Sequence, residues 1–356
     1  MRVAVVSEFY PRGYDPVLGV WAHRQALAAR DAGADVEVFV LHRIVPASAE
    51  PRKLRMLATM ARHPRRVELD GLTVHYVPFV SPPRRRGYGS WGSWAAPTLN
   101  RALRRNGPFD LVHAHNAVPA GDAVRGDTPL VVSVHGGDVL FTARHFGDER
   151  LRRVFARARL VLANSEGIRR MIPAGETRVV HLGTDIPEPE PEHAANTIVT
   201  VGHLVARKRH AAVIAALREL PGWRYVIIGD GPERARLEQH ATGLDVTFTG
   251  QLPHAEALAR AGAAGVFAMP STDEAFGVAY IEAMAAGLPA VGRAGEPGPE
   301  EIAALGPGMH LARDADLAWA IRAATNGAAA RATAREHFTW EACGRATVQA
   351  YEDALR

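Results

Sequence analysis

Residues 268–292 read AMPSTDEAFGVAYIEAMAAGLPAVG, and the fold turns on them. Two carboxylates, Glu274 and Glu282, stand eight residues apart around Phe276-Gly277-Val278. The first lies in a polar loop after the apolar run 265–269, the second inside an Ala-rich helical pattern that ends at Gly287. Gly277 falls where that helix is expected to begin. A strand, a glycine loop and a helix N-terminus make an anion site, because unpaired backbone N–H groups and the helix dipole both favour negative charge. A diphosphate fits such a site. Glu282, about one turn in, is then placed to accept from ribose hydroxyls, and Glu274 from a sugar ahead of the phosphates.

Outward from that stretch the chain reads as two similar α/β halves. Short, non-alternating apolar runs at 3–6, 36–41, 111–113, 130–134, 160–163 and 179–180 are separated by helix-length segments. The scheme recurs at 198–201, 225–228, 246–249, 265–269 and 289–291. Runs of this kind indicate parallel sheets covered on both faces. Between the halves, residues 186–192 read Ile-Pro-Glu-Pro-Glu-Pro-Glu; alternating proline removes donors and biases the chain to an extended, semi-rigid linker. Near the end, His337-Phe338-Thr339-Trp340-Glu341 opens an amphipathic helix through Tyr351 and Leu355. The domains are drawn at 1–185 and 195–336, with a linker at 186–194 and a C-terminal helix at 337–356.

The 356 residues suit two domains of ordinary size, and 47% hydrophobic with 22% charged residues describes a folded, soluble chain. Four apolar residues before Ser7 and Glu8 are too few for a signal peptide and read as a buried strand. No apolar stretch approaches the ~18–20 residues that cross a bilayer. The lone Cys343 excludes an internal disulfide framework and Cys-rich metal sites, which suits the cytoplasm.

The net charge of +4 is uneven: residues 1–185 hold 27 Lys+Arg against 17 Asp+Glu, and the remainder 15 against 21. A basic first half suits an anionic acceptor or an acidic membrane surface; a genome that favours Arg explains it equally well. Two basic stretches, 51–57 running on to Arg65-Arg66, and Pro83-Arg84-Arg85-Arg86 with Trp91 and Trp94 beyond, interleave cations with Leu, Met and Trp. Each reads as a peripheral membrane interface, an acceptor loop or a solvated face. No nucleic-acid-binding motif accompanies the charge.

The stretch 268–292 resembles the E-x7-E signature of the retaining GT-B glycosyltransferases of family 4, with Pro270-Ser271 ahead, Phe276-Gly277 inside and Ala285-Ala286-Gly287-Leu288-Pro289 closing it. Further motifs extend the resemblance over almost the whole chain. Gly202-His203-Leu204-Val205-Ala206-Arg207-Lys208-Arg209 is similar to the family's phosphate loop. Lys208 matches the family lysine, but His203 stands where an arginine is usual. A neutral imidazole cannot fork onto two phosphate oxygens, and Arg207 or Arg209 can supply the charge instead. Gly229-Asp230-Gly231-Pro232 resembles the family's G-x-G-P turn, and Thr249-Gly250-Gln251-Leu252 the segment whose backbone reads the nucleobase.

In the first half, His135-Gly136-Gly137-Asp138 resembles a strand-end H-G-x-D, with Asp138 expected to cap the following helix. His113 and His115 resemble the strand ahead of the acceptor side; without a third ligand at diagnostic spacing they make no metal site. Where the family often carries two adjacent glycines, Gly19 stands alone before Val20-Trp21, which resembles the teichuronic-acid and polysaccharide subgroup with a single glycine and an aromatic. The absence of G-x-G-x-x-G counts against a dinucleotide enzyme. His181-Leu182-Gly183-Thr184-Asp185 resembles the landmark that closes the first domain.

The resemblance implies an α/β chain of GT-B fold: two doubly wound Rossmann-like domains facing a cleft, with the C-terminal helix returning to the first. It implies transfer of a sugar, with retention, from a nucleotide sugar such as a UDP- or GDP-sugar to a glycan, lipid-linked or natural-product acceptor. Catalytic roles fall to His135 at the reacting face, Lys208 at the leaving diphosphate and Glu274 on sugar hydroxyls. Donor binding falls to Gly19, His203, Arg207, Leu252, Phe276, Gly277, Val278 and Glu282. No metal, further cofactor or protein nucleophile is implied. A pseudo-glycosyltransferase, a nucleotide-sugar epimerase of the same architecture and a non-catalytic sugar-nucleotide-binding subunit are the alternatives.

Overall fold

The computed structural model describes residues 1–45, 57–188 and 190–356, so the basic stretch at 51–57 lies, as far as Met56, outside the described residues. The chain divides into two compact units, Met1–His181 with Trp340–Arg356, and Leu182–Thr339. Each is built on one sheet.

The first sheet comprises β1 (Arg2–Ser7), β2 (Asp35–Arg43), β3 (Arg66–Leu69), β4 (Leu72–Phe79), β5 (Leu111–His115), β6 (Leu130–Val134), β7 (Leu160–Ala163) and β8 (Thr177–Val179). Its order is β3-β4-β2-β1-β5-β6-β7-β8, parallel throughout except β3 with β4. That hairpin was not read from the apolar runs. Its signal was Asp70-Gly71, whose φ values of 48° and 79° give the two-residue turn that matches strand twist.

The C-terminal helix Trp340–Leu355 completes this unit, packing on the helix Val20–Asp31. Gly344 permits the contact, since a methyl there would collide with the Ala28 main chain. Tyr351 reaches the sheet beneath, its hydroxyl 2.7 Å from His113 Nδ1.

The second sheet comprises β9 (Thr197–Val201), β10 (Arg224–Ile228), β11 (Val246–Gly250), β12 (Val266–Ala268), β13 (Ala290–Arg293) and β14 (Met309–Ala312). Its order is β11-β10-β9-β12-β13-β14, all parallel. The chain winds outward from β9 to β11 and then returns to start again at β12. The strand order therefore reverses between β9 and β12, and open α/β sheets bind ligands outside the strand ends at such a switch point. This topology alone brings the loop after β9 beside the loop after β12.

The Pro/Glu segment is anchored within the second unit rather than acting as a free spacer. The Arg331 guanidinium donates to the Pro187 carbonyl at 2.5 Å and to Glu188 at 2.8 Å. Among the described residues no helix is long and apolar enough to cross a membrane.

Candidate functional site

At the second sheet's switch point two loops are fastened together. Gly202 to Leu204 crosses the Gly229-Asp230-Gly231 turn so closely that a methyl on Gly229 would strike the Gly202 carbonyl, and one on Gly231 the Leu204 main chain. Both glycines of the G-x-G-P turn are thus required by packing before any ligand is considered. The Asp230 carbonyl accepts from Leu204 N–H at 3.0 Å. This fixes the base of the loop that carries Lys208.

Lys208 Nζ donates to Glu274 Oε2 at 2.7 Å, joining residues that lie on the two sides of the switch. Ser271 Oγ donates to the same carboxyl oxygen at 2.8 Å, and an Arg207 guanidinium nitrogen stands 3.8 Å from it. Burial works to raise the Glu274 carboxyl, but Lys208, Arg207 and Ser271 outweigh it and hold it below the usual carboxylate range. Burial lowers the Lys208 ammonium and Arg207 adds to that, against the attraction of Glu274. Glu274 is 8% exposed, so the polar loop of the sequence reading carries a buried ion pair.

The loop after β12 is tied from several sides. Thr272 N–H donates to the Arg207 carbonyl at 2.8 Å, and Glu274 N–H to Glu296 at 3.1 Å. Tyr280 donates to the Met269 carbonyl and lies 3.3 Å from Ser271 Oγ. Gly277, at φ 93°, makes the left-handed turn that starts the helix Val278–Ala285, and a methyl there would collide with the Tyr280 ring. Phe276 is 1% exposed and packs on Phe338 with ring centroids 5.6 Å apart, so its ring belongs to the core. Val278, just inside the helix, is half-buried.

Glu282 lies further along the helix in different surroundings. Burial pushes its carboxyl up to about 8, and the Asp185 charge adds to the rise. His203 is exposed on the loop after β9, and Leu252 half-buried beyond β11. Of the two arginines that can replace the usual one, Arg209 is committed to Asp314 at 2.5 Å, whereas Arg207 is half exposed beside Glu274. Arg207 is thus the one of the two that stands beside Glu274.

His135 and Gly19 belong to the first unit. Gly19, at φ 67°, caps the helix Val20–Asp31 and presses on the Phe9 and Tyr10 main chain, where no side chain fits. His135 Nε2 lies 3.0 Å from His115 Nδ1, and the Trp21 ring centroid is 4.0 Å from that of His135. Burial, with His113 adding, pushes His135 down to about 3, so the ring is neutral near pH 7. His135 Nδ1 is buried without a hydrogen-bond partner among the described residues. His113 is spanned by Tyr351 and Ser133, each at 2.7 Å, a structural role rather than an acceptor-facing one.

Asp138 does not cap its own helix. It accepts from Ala117 N–H at 2.9 Å and Val118 N–H at 3.2 Å, fixing the turn after β5, and burial raises its carboxyl to about 6. Trp91 is buried, leaving Trp94, 54% exposed, as the tryptophan of that pair available to an interface. Sequence reasoning quoted Ser271 and Asp185 within motifs but gave neither a role, and it missed Glu296. It also missed Glu8, a buried carboxylate at the end of β1 that accepts from Tyr88 at 2.7 Å. Among the described residues no group of three or more His, Cys, Asp or Glu side chains is placed to hold a metal ion.

Residues 184–337 match the family model "Glycosyl transferases group 1" and residues 18–188 the model "Glycosyltransferase Family 4". The chain is 26% identical over 329 residues to TuaC of Bacillus subtilis, which carries the name of a putative teichuronic acid biosynthesis glycosyltransferase; the match covers 82% of this chain and 80% of that protein. Among solved structures, sucrose-phosphate synthase from Thermosynechococcus elongatus superposes with a TM-score of 0.73 at 20% identity, over 99% of this chain and 98% of that one. HepE of Anabaena, in complex with UDP and glucose, superposes with a TM-score of 0.69 at 20% identity, over 99% of each chain.

Proposed function

The chain belongs to the group 1 glycosyltransferases of GT-B fold, and from that premise we propose that it moves a sugar from a nucleotide diphosphate sugar to an acceptor hydroxyl with retention at the anomeric carbon. The observation that carries the reading is the buried Lys208–Glu274 pair at the switch point, beside the helix N-terminus that Gly277 opens. A cation pre-positioned in a dry site stabilises a leaving diphosphate without reorganising, and such preorganisation is often the largest catalytic term. Lys208 and Arg207 take that role, with the N-terminus of the helix Val278–Ala285 adding main-chain donors.

Glu274, kept ionised by Lys208, accepts from hydroxyls of the donor sugar. Glu282 accepts from the ribose, and the main chain near Leu252 meets the base. His135, neutral and with Nδ1 unengaged, offers a hydrogen bond to the sugar. Departure and attack take place on the same face, and the donor phosphate receives the acceptor proton. No step is assigned to a metal or to a protein nucleophile. The acceptor is a glycan, a lipid-linked sugar or a natural product, and the basic first half suits an anionic acceptor or the acidic inner face of a membrane.

The test is incubation with a panel of UDP-, GDP- and dTDP-sugars. Slow release of free nucleotide with a thermal shift for one base is expected, and an acceptor product of unchanged anomeric configuration by NMR. Formation of an epimeric donor without nucleotide release would overturn the reading, and an inverted product would overturn retention.

A further inference from the structure

The helix His254–Gly262 opens with His254, whose Nε2 lies 3.6 Å from Glu282 Oε1. The histidine side chain is 46% exposed and that of Glu282 16%, so the imidazole stands on the open side of the carboxyl. Leu252 is two residues earlier in the chain. Besides Asp185, the two helices packed on the Glu282 helix carry Glu256 and Arg260 on the first, and Arg331, Arg335, Glu336 and His337 on the second, Gly327–His337. Arg331 is already engaged by the Ala285 carbonyl at 2.6 Å and by Glu188 at 2.8 Å. Burial favours the protonated form of Glu282, and the Asp185 charge adds to it.

A ribose presents two hydroxyls. A carboxylate accepts both in charge-assisted bonds, whereas a carboxylic acid accepts them weakly. The Glu282 proton must therefore leave when a nucleotide arrives, and histidine is the side chain suited to take it near neutral pH. The helix N-terminus opposes charge on His254. An ionised carboxyl opposite offsets that opposition, so the transfer is tied to the ligand.

We propose that His254 is a positioning residue of the ribose subsite, taking the Glu282 proton on Nε2 as a nucleoside diphosphate binds. The Glu282 O–H bond breaks, a His254 N–H bond forms, and no proton passes to solvent. The product is a carboxylate facing the ribose diol and an imidazolium facing the carboxylate. The inference rests on Glu282 being the ribose acceptor.

UDP and GDP are the probes, titrated calorimetrically from about pH 6 to about pH 9 in two buffers of different ionisation enthalpy. With the tighter binder, wild type should release close to no proton near pH 7. His254→Gln keeps a polar side chain but cannot hold a proton. It should release about one proton and lose about tenfold in affinity for each pH unit below about 8. His254→Lys supplies a fixed cation and should restore the affinity with little pH slope. Wild-type affinity and proton count in His254→Gln would overturn the inference. Wild-type affinity in Glu282→Gln, or failure of both probes to bind, would instead remove the ribose reading beneath it.

Discussion

Glu274 and Glu282 share one loop and helix, eight residues apart, yet their surroundings hold them in opposite states. Burial works to raise both carboxyls. At Glu274 the Lys208 ammonium at 2.7 Å, Arg207 and Ser271 overcome burial and keep the carboxylate. At Glu282 the nearby charge is Asp185, which adds to burial and brings the group to about 8. The neighbouring charge, and not the depth, decides which glutamate is ionised. On the proposed reading the first acts on a substrate as it stands, and the second is completed by what binds to it.

The largest expected effect breaks the Glu274 side of this comparison. Lys208→Met removes the cation assigned to the leaving group, and transfer should slow by about 10²–10³-fold. It also leaves Glu274 buried without its partner, at a cost of about 3–5 kcal/mol in denaturant unfolding. Adding Glu274→Gln should recover much of that stability and none of the activity. A single variant that unfolds like wild type would mean that the pair contributes nothing.

The pH dependence of stability separates the two carboxyls. Glu282 is raised above its ordinary value of 4.5, so the folded state binds the extra proton between about 4.5 and about 8, and stability falls as pH rises through that window. Glu282→Gln abolishes the loss. It should be more stable than wild type by about 2–4 kcal/mol near pH 9 and no different near pH 4. Glu274 has the opposite sign: its depressed value contributes stability above about 4.5 that is lost as the solution is acidified. Glu274→Gln should flatten that acid limb. Melting curves across pH for both variants check the two signs at once.

A smaller effect sharpens the geometry that the two glutamates share. Gly277→Ala places a methyl at φ 93° against the Tyr280 ring and should cost about 1–3 kcal/mol by thermal melting. The turn between the two sites would have to shift, so both sugar turnover and nucleotide affinity should drop. An unchanged melting temperature would show that the turn yields without strain.

Much of this site was legible in the sequence because strands, glycine turns and motif residues are local signals. The runs at 130–134 and 160–163 coincide with β6 and β7, and Gly277 opens its helix as the pattern implied. What was not legible depends on strand order. Lys208 and Glu274 were each found in a motif, but their contact spans 66 residues and exists because β9 lies beside β12. His254 carries no motif, and its approach to Glu282 follows from the packing of two neighbouring helices. Asp138 followed a glycine pair and read as a cap, but the main-chain donors it satisfies come from the turn after β5, twenty residues earlier. Composition offered two candidate arginines, and only the ion pair from Arg209 to Asp314 separated them.

The proposed chemistry divides its labour between the two glutamates. Transfer kinetics and nucleotide affinity should therefore be measured side by side for Glu274→Ala and Glu282→Ala. Glu274→Ala should lower kcat by about 10²-fold and leave nucleotide Kd within about threefold. Glu282→Ala should raise nucleotide Kd by about tenfold or more, with a smaller change in kcat. Wild-type values in both variants, or the same loss in both, would contradict it.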